Sequence, residues 1–502
     1  MSNLKSRFKV LMLLSVAGYG IGFFSHVLIA YHFGTSQALD AYWGGLALVS
    51  LLTFYVSPLK ESLVPAVHRA QEYGDAQAGR VLSAGLSLLL ALTVVSGAVL
   101  LGAVALVARL MMGSDEGVSS AIGDLAPWLL TYMVLLVVAE TLNSTLISFN
   151  QVLRQAAVRI AAALVLLATI TAVGASIGVG GLLLAQIFSM STLVVASGLA
   201  LRHLRLRLLA RAWPVLRDSG MVPLFVSLLI TYLFAQLYVL AERSAMIHLG
   251  NGLVSGFQYS VLLVNALVGL LGYPLANLLW SKFLALAAAG DDTAAHDLAM
   301  RVCGLLFFVL MVVCVFAWVH AREIILLVYG RGAFDEASVR LTTLALRATI
   351  FAAIPISLMA VTGRWLISQP GAHRQVWIGM AMTAVGLLVI GGAVLSGSSR
   401  WILLHWLLAN LAGMLVSGVI FISATSFSSS QAIASAGWLI RVALVVVTAA
   451  WVTPSIDWGE SKVAVAAALL AQGALYLLVV AALTWLLGLV PSLRVMMWRQ
   501  HE

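Results

Sequence analysis

The chain alternates between long apolar runs and short polar connections. Runs of about 20 apolar residues, each long enough to cross the roughly 30 Å of a bilayer's hydrocarbon as a helix, recur fourteen times, centred near residues 20, 48, 94, 137, 165, 190, 232, 264, 312, 351, 385, 413, 444 and 475. In lipid every backbone polar group must be satisfied internally, and runs of this length do so as helices. The expected fold class is an all-α polytopic membrane protein.

A repeat lies within this pattern. Residues 32–75 lie over residues 248–291 at a constant offset of 216 without a gap, with nine of 44 positions identical. Apolar matches come cheaply in so hydrophobic a chain, but His32/His248, Gly34/Gly250, Pro58/Pro274 and Gly74-Asp75/Gly290-Asp291 do not. Six spans separate the copies, an even number, so both point the same way and the repeat is parallel. The expected organisation is an N-terminal lobe over residues 1–203 (helices 1–6), a basic cytoplasmic linker over 204–219 and a C-terminal lobe over 220–425 (helices 7–12). Residues 426–502 supply helices 13 and 14 and a tail.

Composition agrees: 62% of residues are apolar and only 9% charged, which excludes soluble globular and disordered classes. The net charge of +9 implies no nucleic-acid partner, because the cations sit in short connections. Those after even-numbered spans carry Lys60, Arg69 and Arg80, then Arg154 and Arg159, then Arg202, Arg205, Arg207, Arg211 and Arg217. The opposite connections hold Asp115, Glu116 and Asp124, or Asp457 and Glu460. The lysine and arginine bias therefore puts both termini in the cytoplasm. Lys5, Arg7 and Lys9 precede the first run without a small-residue cleavage site, so that run reads as a retained transmembrane helix. Trp128, Trp213, Trp318, Trp365, Trp401, Trp438, Trp458 and Trp498 lie near span ends and suit interfacial anchoring. Cys303 and Cys314, about 16 Å apart along one helix, are read as packing residues.

No connection is long enough to hold a catalytic domain, and the phosphate-loop, zinc-protease and nucleophile-elbow motifs are missing. Asp291-Asp292 is the nearest acidic pair, and it falls on the Gly-Asp turn of the repeat. Neither an enzyme nor a bound metal or cofactor is expected. Two pseudo-equivalent lobes suit a transporter that exposes a bound substrate alternately to each side.

A charge near the bilayer centre costs about 2.5–3.5 kcal/mol on insertion scales, so polar groups within spans mark candidate sites. Glu140 is the deepest carboxylate, about 12 Å from its span end, with Asn143 one turn away on the same face. It either carries a proton or ties helices together. His26, beside Ser25, either faces a cavity or packs, and Arg347 either attracts an anion or snorkels to the interface. The second copy presents Gln236, Tyr238, Glu242, Arg243, Gln258, Tyr259 and Asn265, where the first has Asp40, Tyr42, Lys60 and Glu61. Glu242 and Arg243 are adjacent, about 100° apart on a helix, and need not pair. Coupling candidates are Glu140, Asp40 and His26. Hinge candidates are Gly18 and Gly22 in span 1 and the repeat-related Pro58 and Pro274.

The run Leu28-Ile29-Ala30-Tyr31-His32-Phe33-Gly34, then Leu39-Asp40-Ala41-Tyr42 and Leu63-Val64-Pro65, resembles the first two helices of MurJ/MviN-type flippases of the multidrug/oligosaccharidyl-lipid/polysaccharide exporter superfamily. Val254-Ser255-Gly256-Phe257-Gln258-Tyr259 with Gly269 to Pro274 resembles the family's eighth helix, and Tyr329-Gly330-Arg331-Gly332-Ala333-Phe334 its turn after the ninth. The resemblance implies a V-shaped pair of lobes in the bacterial inner membrane. Their cavity, lined by helices 1, 2, 7 and 8, would flip an undecaprenyl-diphosphate-linked glycan outward, lipid II in the best-known members. It also implies cavity arginines at about Tyr19, Ser25 and Leu262 and a pair near residues 52–55, and all are uncharged here; only the acidic position, Asp40, carries over. The chain then holds the diphosphate with groups such as Lys60, Arg243, Arg347 or His26, moves another lipid-linked glycan such as an exopolysaccharide precursor, or has lost transport. Rival readings are a drug exporter built on Glu140 and a non-transporting scaffold for polysaccharide or cell-wall enzymes. Beyond these and the membrane lipids no partner is implied.

Overall fold

The computed structural model describes residues 2–112, 116–149, 151–173, 176–209, 211–368, 374–423, 429–453, 462–487 and 489. Asp115, Asp457, Glu460, Trp458 and Trp498 lie outside the described residues, as do the side chains of Lys5, Arg7, Lys9, Tyr19, Glu116 and Asp124. Two compact units divide the chain, Met1–Ser255 and Gly256–Glu502. The first contains α1 (Ser2–Phe33), α2 (Gln37–Leu52), α3 (Val56–Gln71), α4 (Asp75–Met112), α5 (Glu116–Ser148), α6 (Val152–Val173), α7 (Val179–Ala200), α8 (Ala212–Asp218) and α9 (Val222–Leu249). The boundary falls inside α10 (Leu253–Leu267), and the second unit continues through α11 (Tyr273–Ala288), α12 (Asp292–Val319), α13 (Ala321–Val328), α14 (Glu336–Thr349), α15 (Ala353–Ser368), α16 (Gln375–Ser396), α17 (Ser399–Ser423), α18 (Ser429–Val452) and α19 (Lys462–Leu486). Among the described residues ten helices are long and apolar enough to cross a membrane, eleven if the bent pair α2–α3 is one span. Shorter apolar helices at Gly20–Phe33 and Gly437–Val452 lie outside that number, against the fourteen spans expected.

Each copy of the repeat folds into an interrupted helix. α2 and α3 bend by 50° at their break, and 216 residues further on a π-helical turn, Val268–Gly272, separates α10 from α11. Pro58 falls in the first turn of α3 and Pro274 in the first turn of α11. In both, the N–H that proline lacks belongs where the helical ladder is already interrupted. The prolines thus open the second half of each element. Gly74 and Gly290 both take positive φ, 100° and 72°, a conformation glycine adopts without steric cost. Asp291 accepts from the Ala294 amide at 3.0 Å and caps α12, so the acidic pair there is a turn with a cap.

The basic segment expected as a linker is docked on α4. Gly79, Ser83 and Ser87, at i, i+4 and i+8, form a strip of small residues on one face of that helix. Arg207 N donates to Ser83 Oγ at 3.1 Å and Leu209 N to Ser87 Oγ at 2.8 Å. A Cβ on Gly79 would meet the Leu204 carbonyl at 2.4 Å. Leu204 and Leu216 are buried in the same apolar cluster as residues of α3 and α4. Within the first unit α9 packs on α2, α3 and α4, and its Tyr232 hydroxyl donates to Glu61.

Gly79→Ala is expected to cost about 1–3 kcal/mol, since backbone and not a flexible side chain must yield. The check is a lower melting temperature of the detergent-purified chain. Gly198→Ala on α7, where nothing lies within 4 Å of an added Cβ, should leave it unchanged.

Candidate substrate site

The charged groups buried deepest in the sequence pattern come together in the first unit. α5 presents Glu140 and Asn143 one turn apart, α3 brings Lys60 and α6 brings Arg159. Arg159 Nη2 donates to both Glu140 oxygens at 3.1 and 2.9 Å, Lys60 Nζ donates to Oε2 at 3.1 Å, and Arg159 Nε donates to Asn143 Oδ1 at 3.0 Å. Asn143 in turn donates to Ser197 Oγ on α7 at 3.3 Å. The side chain of Glu140 is 16% exposed, Lys60 26% and Arg159 46%, so the anion lies deeper than its cations. Partial exposure screens the pairs and puts the tie below the 3–5 kcal/mol cost of breaking a fully buried bridge. In the sequence Arg159 stands only as an orientation signal; in the fold it sits seven residues into α6, about 10 Å from the helix start. The signal for it was Glu140 itself, a carboxylate inside a span that needs a cation from a neighbouring helix.

Asp40 is 2% exposed and fully engaged. Ser36 caps α2 by accepting from Leu39 N, but the equivalent position in the second copy is Gly252, which has no side chain to do so. The Asp40 carboxylate supplies the missing acceptor: Gly252 N donates to it at 2.6 Å, Ser255 N at 2.9 Å, and Ser255 Oγ also donates. Arg243 acts on Asp40 electrostatically, and its Nε lies 3.4 Å from Glu242 Oε1. Glu242 and Arg243 therefore do pair, their side chains being long enough to close the 100° between them. Ser25 is buried and back-bonds to Ile21 O at 3.0 Å. His26 stacks on Trp43, 5.7 Å between ring centres and 10° between planes. Gly18 faces Ile160 of α6, 3.7 Å from an added Cβ, while Gly22 has open space. Gln236 is half-buried on α9.

In the second unit Gln258 and Leu262 are half-buried on α10 and Asn265 is exposed. Arg347 is exposed on α14, donating to Trp318 O at 3.3 Å with its guanidinium 5.7 Å from the centre of that ring. An arginine over a tryptophan near a span end fits snorkelling to the interface. Tyr259, Tyr329 and Phe334 form one aromatic cluster, with ring centres 5.0 to 5.7 Å apart, and Tyr329 Oη donates to Tyr259 O. A separate apolar groove of 460 Å³ opens between α12 and α19, lined by Phe308, Val312, Leu477, Val480 and Thr484. Within the first unit, then, Lys60 meets Glu140, and Arg243 acts on Asp40.

Interrupted helices repeated along the chain and a charge cluster held among its helices are features of a membrane-embedded fold, and solved structures of similar fold include transporters. "Lipid II flippase MurJ, inward closed conformation" superposes with TM-score 0.76 at 15% identity, covering 95% of this chain and 99% of that one. An inward-facing multidrug resistance transporter of the MATE family reaches 0.67 at 15% identity over 83% and 99%. A MOP superfamily transporter from Pyrococcus furiosus, whose title describes a binding pocket of reverse polarity, reaches 0.55 at 16% over 82% and 93%. No curated protein gives a significant match. The family model "Lipid II flippase MurJ" matches residues 29–489, and the chain belongs to that family. It is thus a multi-pass protein of a bacterial inner-membrane family of transporters, not enzymes, that acts on lipid-linked substrates.

Asp40→Ala is expected to destabilise the chain by about 1–3 kcal/mol, because buried amides lose their acceptor. Asp40→Asn, which keeps one acceptor oxygen, should lose less. Thermal melting in detergent reads both.

Proposed function

We propose that the chain carries an undecaprenyl-diphosphate-linked saccharide, lipid II or an exopolysaccharide precursor, from the cytoplasmic to the outer leaflet by alternating access. On this reading fourteen spans form the pseudo-repeated lobes at 1–203 and 220–425 plus a C-terminal pair, with both termini cytoplasmic. The observation that carries it is the family match over residues 29–489. Two features support it. The groove between α12 and α19 is apolar and suits a polyprenyl tail. The cluster of Lys60, Arg159 and Glu140 has two cations to one anion and suits a negatively charged head.

Likeness to the MATE transporter favours a second reading, export of a small cation. That reading needs an available carboxylate, and Glu140 already holds two cations. It predicts that Glu140→Gln abolishes drug resistance and leaves glycan export intact.

Expression in a bacterium depleted of its own lipid II flippase, with membrane insertion confirmed separately, should restore growth. Lysis despite good insertion would rule out lipid II and leave another lipid-linked glycan or a scaffold that moves nothing.

A further inference from the structure

The cluster around Glu140 has more hydrogen-bond donors than it uses. A guanidinium has five N–H donors and an ammonium three. Arg159 engages Glu140 and Asn143 through Nη2 and Nε, and Lys60 gives one bond to Glu140. The groups facing outward are the cations, with Arg159 46% exposed against 16% for the carboxylate between them. Glu140 thus holds two positive groups in fixed positions with one positive charge left over. A phosphate group has more oxygens and more charge than a carboxylate, and a guanidinium can meet it with two parallel donors.

We propose that Arg159 and Lys60 form the binding site for the diphosphate of the lipid carrier, and that Glu140 is a built-in counter-ion that yields part of its cation contacts when the diphosphate arrives. The assignment rests on the reading of a lipid-linked substrate. In the empty state Glu140 preorganises the cations and satisfies their charge. In the loaded state Arg159, the more exposed, turns its free edge to the phosphate oxygens while Lys60 stays on Glu140. A carboxylate in that position also selects against weak anions, because only a ligand of greater charge competes with it.

The test is binding of farnesyl diphosphate to the full-length chain in lipid nanodiscs, by titration calorimetry, with dispersed phosphatidylglycerol as the comparison anion. Arg159→Ala should weaken binding at least tenfold and Arg159→Lys by less, since charge survives and the fork does not. Glu140→Gln should tighten binding severalfold, because the competing charge is gone while the shape is kept. A merely structural role for Glu140 predicts the opposite sign. Melting curves for each variant establish that it is folded. Unchanged affinity in folded Arg159→Ala, weaker binding in folded Glu140→Gln, or an equal response to phosphatidylglycerol would overturn the assignment. The growth assay fails independently: binding without growth sinks lipid II transport alone, and growth with binding insensitive to Arg159 sinks this site alone.

Discussion

A carboxylate drawn into a hydrocarbon layer has to bring its own cations. Glu140 does so through Lys60 and Arg159, and these pairs fix how α3, α5 and α6 meet. The network continues from Arg159 to Asn143 and from Asn143 to Ser197, so a fourth helix, α7, shares it. In lipid the apolar faces of helices gain little from meeting one another, so small residues and polar ties decide which helices pack. The helix contacts of the first unit are set by such polar ties together with small residues such as Gly79.

Much of the architecture was legible because the residues that break helices held register across the repeat. Pro58 and Pro274, and the glycines at 74 and 290, mark the same interruptions and turns in both copies. Glu140 and Asn143 were legible as a pair because a helix puts i and i+3 on one face. Arg159 was not, since a cation near a span end looks the same whether it points to water or inward, and only the packing of α6 on α5 decides. Asp40 shows another limit. Its donors lie 212 and 215 residues away, and the local clue was an absence, the glycine at the position where a capping side chain stands in the first copy.

Several residues of the motifs that carry the family likeness pack against one another. Tyr259, Tyr329 and Phe334 lie against one another, and a Cβ on Gly256 would come within 3.1 Å of Leu341. Such residues are constrained by neighbours on other helices whatever the cavity holds. This explains how a chain with uncharged residues at Ser25 and Leu262 keeps the fold of a MurJ structure at 15% identity.

The segment over residues 202–209, docked on α4, bears on how a protease meets the chain. Its three arginines, Arg202, Arg205 and Arg207, make it read as a ready target for trypsin, yet the amides of Arg207 and Leu209 are held by serines of α4. A protease needs the chain drawn out as an extended strand, so cleavage waits for this stretch to peel off its helix. Its rate then reports the free energy of one local opening, a stability gauge for a single contact strip that needs no substrate.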